Sequence, residues 1–337
     1  MKYWAELSGD NVELARRELA ASLRVVYPAG TPPREVPWGL RMVAFESPQV
    51  TDLAPRLALT HRLLRPLSEG PVEVLRRAMK EEGGSGRSIA LRTSSGSGRV
   101  AGLVPTLGRA YVEGGGRVDL TSPERTLVLL PSRENPMEFA IAEEVGVTER
   151  LRLARRPPKT LAFRKPVTLS PLLARALVNL SEVPPGGTLI DPFCGTGAIL
   201  IEGAAVGCRI VGADVDSRMV RGALANLASF GVVPERMVQC DVGDLPRSLD
   251  DLPRINGGAT DPPYGRASTT KGEEAGRLLL RALESLGEIV ERGSRVAIMV
   301  PSPQMMARLP SGWGVVGEPI PLPVHRSLTR WVFVLRN

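Results

Sequence analysis

From Thr188 onward the chain repeats one rhythm: a short apolar run, a tight break, then a stretch of helical spacing. TLIDPF precedes a helix predicted from Gly197 to about Val206, and RIVGADV precedes RMVRGALANLASFG. RMVQCDV follows, and GGATDPP comes before a long helix predicted over Glu273–Arg292 and the strand RVAIMVP. Alternating β and α segments at this spacing predict an open parallel sheet with helices on both faces. In such sheets ligands bind outside the carboxyl ends of the strands. The strand ends are therefore where chemistry is to be sought.

The first strand end is DPFCGTGAIL, Asp191 to Leu200. Gly195 and Gly197 permit a tight turn and close backbone approach to a small ligand at the start of the next helix. A dinucleotide-binding loop is disfavoured, because GTGAIL has no glycine at the third position of GxGxxG and an acid with Pro-Phe precedes the glycines. The second strand end carries Asp214, a position suited to a ribose diol. Asp216 reads equally as a ligand contact and as the N-cap of the next helix. The third ends at Asp241. Together Asp191, Asp214 and Asp241 can surround a nucleoside.

The fourth end is TDPPYG, Thr260 to Gly265. Its two prolines lack backbone donors and stiffen the exit from the sheet, leaving the Asp261 carboxylate and the Pro262 carbonyl as acceptors for one incoming amine. Tyr264 offers a flat surface on which a base removed from its stack can rest.

At 337 residues, 43% of them hydrophobic and 23% charged, the chain can fill two or more cores. The start, MKYWAELSGD, has no signal-peptide pattern, and no apolar run approaches the ~20 residues needed to span a bilayer, so a cytoplasmic protein is expected. Cys194, Cys208 and Cys240 fit neither a zinc site nor a disulfide framework; reduced thiols and no metal are expected. Cys194 reads as a packing residue. Charge is uneven: residues 1–164 carry 25 basic and 19 acidic side chains, residues 165–337 carry 18 and 17. The front half is the candidate polyanion binder, although an arginine excess also arises from coding bias.

RLRLARRPPKTLAFRKP reads as an extended connector, since Pro157 and Pro158 disfavour helix. Upstream, an α+β unit is expected over about 1–65, with strands at KYWAEL, RVVYP and RMVAFE and a helix over NVELARRELAASL. A second follows, with helices near PVEVLRRAMKEE and before Tyr111, strands at SIALRT, RVDLT and TLVLLPS, and a loop at SSGSGR. HRSLTR, His325 to Arg330, is expected at the turn between the last two strands. His325 reads as a substrate contact or a plain surface residue. Arg326 and Arg330 read as phosphate contacts. Arg266, Ser268, Thr269 and Thr270 read as a cover over the substrate or an ordinary polar loop.

DPFCGTG and DPPY together resemble the class I methyltransferases that use S-adenosylmethionine and act on exocyclic amines of nucleobases; the resemblance covers residues 165–337. It implies cofactor contacts at Asp191, Phe193, Gly195, Thr196, Gly197, Asp214, Val215, Asp241 and Val242, and catalysis by Asp261, Pro262 and Tyr264. More closely, TLSPLLARALVNLS, DPFCGTGAILIE, GADVDSRMVRGALANL, TDPPYGRASTT and HRSLTR resemble the archaeal tRNA guanine-10 N2-methyltransferases. That resemblance implies an α/β chain: a ferredoxin-like segment (1–65), a THUMP RNA-binding domain (66–150), a linker (151–166) and a doubly wound, Rossmann-like methyltransferase domain (167–337). It implies tRNA as partner, one or two methyl groups added, and guanine as the base; since DPPY also occurs in adenine-specific relatives, the base follows from this family resemblance and not from Asp261. Arg152, Arg155, Arg156, Arg266, Arg326 and Arg330 are the expected RNA contacts, and a monomer is expected. Guanine methylation at another tRNA or ribosomal RNA position, or RNA binding without catalysis, stay open as alternatives. Deleting residues 1–164 is expected to leave a domain that still binds the cofactor.

Overall fold

The computed structural model describes residues 1–94, 98–156, 160–166, 168–264, 274–325 and 328–337, apart from the side chains of Arg99 and His325. The chain divides into two units: 1–12, 27–55 and 60–148; and 13–26, 56–59 and 149–337.

The first stretch of chain runs β1 (Lys2–Leu7), α1 (Val12–Val26), β2 (Arg34–Glu35), β3 (Met42–Glu46), β4 (Thr60–Gly70), α2 (Val72–Gly83), β5 (Ser88–Thr93), α3 (Val104–Glu113), β6 (Arg117–Val118), β7 (Arg125–Pro131) and β8 (Phe139–Val147). Its strands form a single sheet in the order β2-β3-β1-β4-β8-β7-β5-β6. Successive residues of a strand face opposite sides. Leu127 and Leu129 of β7 thus join Leu75 and Met79 of α2 and Leu107 and Tyr111 of α3, whereas Val128 and Leu130 join Trp4, Trp38 and Leu64.

Several details depart from the sequence reading. A break at 65/66 falls inside β4, which pairs with β1 along its first half and with β8 from Arg62 to Gly70. RVVYP does not form a strand: Arg24–Val26 is the last turn of α1, which ends just ahead of Pro28. Of RVDLT only Arg117–Val118 pairs, because the Asp119 carboxylate accepts the N–H groups of Thr121 and Ser122 at 2.8 and 3.0 Å and turns the chain. The connector begins as α4 (Arg150–Ala154), upstream of the reach of its prolines. The tip of SSGSGR, 95–97, lies outside the described residues.

The second unit continues with α5 (Pro171–Leu180), β9 (Thr188–Asp191), α6 (Ala198–Ala205), β10 (Arg209–Asp214), α7 (Ser217–Ser229), β11 (Arg236–Gln239), α8 (Leu245–Ser248), β12 (Ile255–Thr260), α9 (Ala275–Ile289), β13 (Val290–Val300), β14 (Gly314–Val315), β15 (Ile320–His325) and β16 (Leu328–Arg336). The sheet order is β11-β10-β9-β12-β13-β16-β14, with β15 paired to β16. Strands β9 to β13 are parallel as expected, and β16 is antiparallel to β13. Ile190 and Val211 pack in one core with Leu279 and Leu283 of α9, whereas a Cβ on Gly203 of α6 would meet Leu189 and Ile210. Adjacent residues thus face helices on opposite sides of the sheet.

From Glu13 on, α1 belongs to this second unit, as does the segment 56–59. Glu18 is fully buried and accepts the N–H groups of Ala58 and Leu59 at 2.9 and 2.8 Å and Asn179 Nδ2 at 2.9 Å. Burial pushes its carboxyl above the usual range, against the pull of these donors.

Candidate active site

The chain leaves β9 to build β10 and β11 on one side, then returns to lay β12 on the other. The crevice at the carboxyl ends of β9 and β12 is therefore the switch point at which open α/β sheets bind ligands. A cavity of about 600 Å³ opens there, lined by Lys165, Asp191–Thr196, Asp214–Asp216, Cys240–Val242, Asp261–Tyr264 and Arg330 among others.

At the β9 end the chain turns through Gly195 (φ 51°) and Gly197 (φ 80°) into α6. A Cβ at Gly197 would be strained by that φ and would lie 3.3 Å from Ala223, so glycine is required. The turn is fastened from outside. Asp214 Oδ2 accepts the Gly195 N–H at 3.0 Å, Asp214 Oδ1 accepts the Asp216 N–H at 2.9 Å, and Asn226 Nδ2 donates to the Thr196 carbonyl at 2.9 Å. Asp191 is 2% exposed, accepting from Thr260 Oγ1 at 2.7 Å and the Phe193 N–H at 3.2 Å. Burial raises its carboxyl to about 7, despite those donors, with Asp261 and Asp214 adding to the rise. Burial also raises Asp214, partly offset by its backbone donors.

Asp216 caps α7 through the Arg218 N–H at 2.9 Å, the structural alternative of the sequence reading, and also lines the cavity. Its pairing with the Arg218 side chain, helped by the capping N–H, lowers it to about 2. Asp241 accepts the Gly243 N–H at 2.9 Å and pairs with Arg281 of α9. Phe193, Val215 and Val242 supply apolar wall.

Immediately after β12, Asp261 is largely buried. Tyr264 Oη donates to its Oδ1 at 3.2 Å, and Arg330 of β16 pairs with the same oxygen. The Arg330 guanidinium also lies 4.9 Å over the Tyr264 ring. Burial raises Asp261 to about 6, with Arg330 pulling the other way. Among the described residues no donor reaches Oδ2 or the Pro262 carbonyl, the two acceptors read from TDPPYG.

Of the cofactor and catalytic residues expected from the sequence, all but Gly197 line this one cavity, whereas the expected RNA contacts are scattered. Arg330 sits in the catalytic corner. Arg156 pairs with buried Glu202 and lies 4.9 Å over Phe230. Arg152 is exposed and pairs with Glu149 at 3.2 Å, and Arg155 is exposed. Arg266, Ser268, Thr269, Thr270 and Arg326 lie outside the described residues, as does the His325 side chain. Burial raises the Cys194 thiol well above its usual value, as suits a packing residue. Sequence reasoning missed Asn226, Arg281 and the Thr260 tie; of these only Thr260, next to DPPY, carried a positional signal. No helix among the described residues is long and apolar enough to cross a membrane, and no cluster of ligating side chains among them fits a metal ion.

A glycine turn fastened by an acid, followed along the sheet by acids at each strand end, is the architecture of class I methyltransferases. Residues 158–315 match the UPF0020 family model, RMKL-like, methyltransferase domain. The chain is 31% identical over 347 residues, covering all of both chains, to the tRNA (guanine(10)-N2)-dimethyltransferase of Methanothermobacter thermautotrophicus. It is 34% identical over 240 residues to the protein of the same name from Pyrococcus abyssi, covering 70% of this chain and 69% of that one. The crystal structure of TrmN from Thermus thermophilus shares the fold over the full length of both chains, with a TM-score of 0.55 at 21% identity. The chain belongs to the tRNA (guanine(10)-N2)-dimethyltransferase family.

Proposed function

We propose that this chain transfers methyl groups from S-adenosylmethionine to the exocyclic N2 amine of guanine 10 in tRNA, giving N2-methylguanosine and then N2,N2-dimethylguanosine. The observation that carries the reading is the shared cavity: the glycine turn and the DPPY corner open into one space of about 600 Å³, within the usual range for small-molecule sites.

The residues suit the cofactor. Gly195 and Gly197 let backbone approach its amino-acid end, Asp214 and Asp216 offer acceptors for ribose hydroxyls, and Asp241 with Val242 receives the base. When bound, the cofactor supplies an electrophilic methyl group on a sulfonium, so little activation is left to the protein.

What the protein must supply is a usable nucleophile. The amine lone pair is delocalised into the ring, and accepting its two N–H bonds at Asp261 Oδ2 and the Pro262 carbonyl favours the pyramidal form. Tyr264 supports the base plane, and holding the reactants in line supplies a large part of the rate. As the new N–C bond forms, the amine loses one proton, which a carboxylate near 6 can accept and pass to solvent.

We assign catalysis to residues 167–337, with 13–26 and 56–59 completing the same unit, and 151–166 as the linker. The ferredoxin-like 1–65 segment and a THUMP domain over 66–150 hold the tRNA; the excess of basic over acidic residues in 1–164 supports this. A monomer acting in the cytoplasm is our reading. The test is methyl transfer from labelled cofactor to unmodified tRNA with nucleoside mapping. Label at guanine 10 is expected, with Asp261→Ala lowering the single-turnover rate by about 10²–10³ and leaving cofactor affinity within a few-fold. Label at another guanine, or near-normal turnover by the variant, overturns it.

A further inference from the structure

Arg330 is 69 residues from Asp261 in sequence, and the reaction read from DPPY does not require it. It reaches the site because β16 runs antiparallel to β13, placing Trp331 beside Val300 and Arg330 over the end of β12. Its side chain is 16% exposed against 18% for Asp261, so the pair is screened from bulk water. A guanidinium meant for a phosphate would stand in solvent with its donors free. Here one nitrogen is on Asp261, the plane lies over the Tyr264 ring, and Nε is buried with no partner.

The oxygen that Arg330 selects gives the pairing its use. Arg330 and Tyr264 both donate to Oδ1. Rotation of the carboxylate is thereby blocked, and Oδ2 is the oxygen left for the amine.

We propose that Arg330 is a positioning residue for methyl transfer, clamping Oδ1 of Asp261 so that Oδ2 faces the reacting amine as the anion, rather than a contact for the RNA backbone. The inference rests on the reading of Asp261 given above. Around the carboxylate, the charged or titratable groups among the described residues are Arg330 on β16, Tyr264 on its own loop and Asp191 at the end of β9, with Asp214 of β10 beyond. Arg330 is the cation of this set. Its removal leaves burial unopposed, which raises the Asp261 carboxyl further.

The experiment is the pH dependence of single-turnover methyl transfer to unmodified tRNA for wild type, Arg330→Met, Arg330→Gln and Arg330→Lys. Cofactor affinity and thermal unfolding are measured on each. Wild-type activity falls as the pH drops through Asp261's range, near 6. In Arg330→Met and Arg330→Gln this acid limb moves up by about 1 unit or more, the usual effect of losing an adjacent opposite charge. The rate lost at neutral pH is largely recovered in alkali, and Arg330→Lys returns the limb toward wild type. Carboxyl ¹³C NMR of the cofactor-free protein, with the Asp261 signal assigned through Asp261→Asn, shows the same rise without turnover. Should Met unfold the protein, Gln and Lys decide the question.

An equal loss at every pH with the limb unmoved makes Arg330 merely structural and overturns the proposal. A loss confined to tRNA affinity, with a flatter salt dependence and an unchanged single-turnover rate, overturns it in favour of a phosphate contact. A wild type that transfers no methyl to any guanine, while the NMR rise in the Arg330 variants is present, faults the functional reading and not the clamp.

Discussion

Thr260 Oγ1 donates to Asp191 Oδ1 at 2.7 Å, fastening the last residue of β12 to the last residue of β9 across the switch point. The carboxylate that receives this bond is buried and titrates near 7, well above its unfolded value of about 3.9.

That rise has a thermodynamic consequence with a definite sign. Between about pH 4 and pH 7 the folded state keeps a proton that the unfolded state has lost, so this site makes stability fall as pH rises through the window, by at most about 1.4 kcal/mol per pH unit. Asp191→Asn keeps an acceptor for Thr260 and removes the titration. The melting temperature of the variant relative to wild type, measured without cofactor, is expected to climb from pH 5 to pH 8. A difference independent of pH refutes the assignment.

Asp214 is asked to do two things at once, since both its oxygens already hold backbone N–H groups of the loop it serves. Asp214→Ala is expected to weaken S-adenosylmethionine binding by about tenfold or more and to cost about 1–3 kcal/mol of stability through the stranded donors. Calorimetric titration with a parallel melt separates the effects. Unchanged affinity moves the ribose contact elsewhere along the cavity wall.

Glu18 makes the simple truncation unworkable. Deleting residues 1–164 removes α1 and the 56–59 segment from the unit they belong to. It strips Asn179 of its bonds to Glu18 and to the Arg56 carbonyl, each 2.9 Å long. Residues 165–337 alone are expected to lack a cooperative melt, contrary to what sequence organisation suggested. In the full chain, Glu18→Ala is expected to cost at least about 2 kcal/mol, because the Ala58 and Leu59 N–H groups lose their acceptor in a dry interior. A truncated domain that melts sharply and binds cofactor normally shows the tie to be dispensable.

The connector arginines are expected to divide. Replacing exposed Arg152 and Arg155 with glutamine should reduce the slope of log affinity for tRNA against log salt by about 1 for each phosphate these side chains neutralise, with little change in stability. Arg156→Gln should leave that slope alone and lower stability by about 1–3 kcal/mol, since its partner Glu202 is 1% exposed. Salt titrations on the two variants, each with a melt, test the division; a flattened slope from Arg156→Gln alone reverses it.

The strand ends could be read from residues in a row because their physics is local. A glycine at positive φ, a proline without a donor and an acid closing a strand act within a few positions of one another. Asp191, Gly195, Gly197, Asp214, Asp241 and Asp261 accordingly stand where their short motifs place them. The same locality misled at RVVYP, where two valines favour a strand but the last turn of α1 claims them, and at the connector, whose prolines do not prevent the turn before them from coiling.

No local pattern brings Arg330 to Asp261, joins α1 and the 56–59 segment to a unit that otherwise begins at residue 149, or hangs Asp191 from Thr260. Those pairings depend on the path that buries the most apolar surface over two whole sheets. Burial then reshapes the chemistry, since the same carboxyl group titrates near 4 in water and near 6 or 7 once the surrounding core has excluded it.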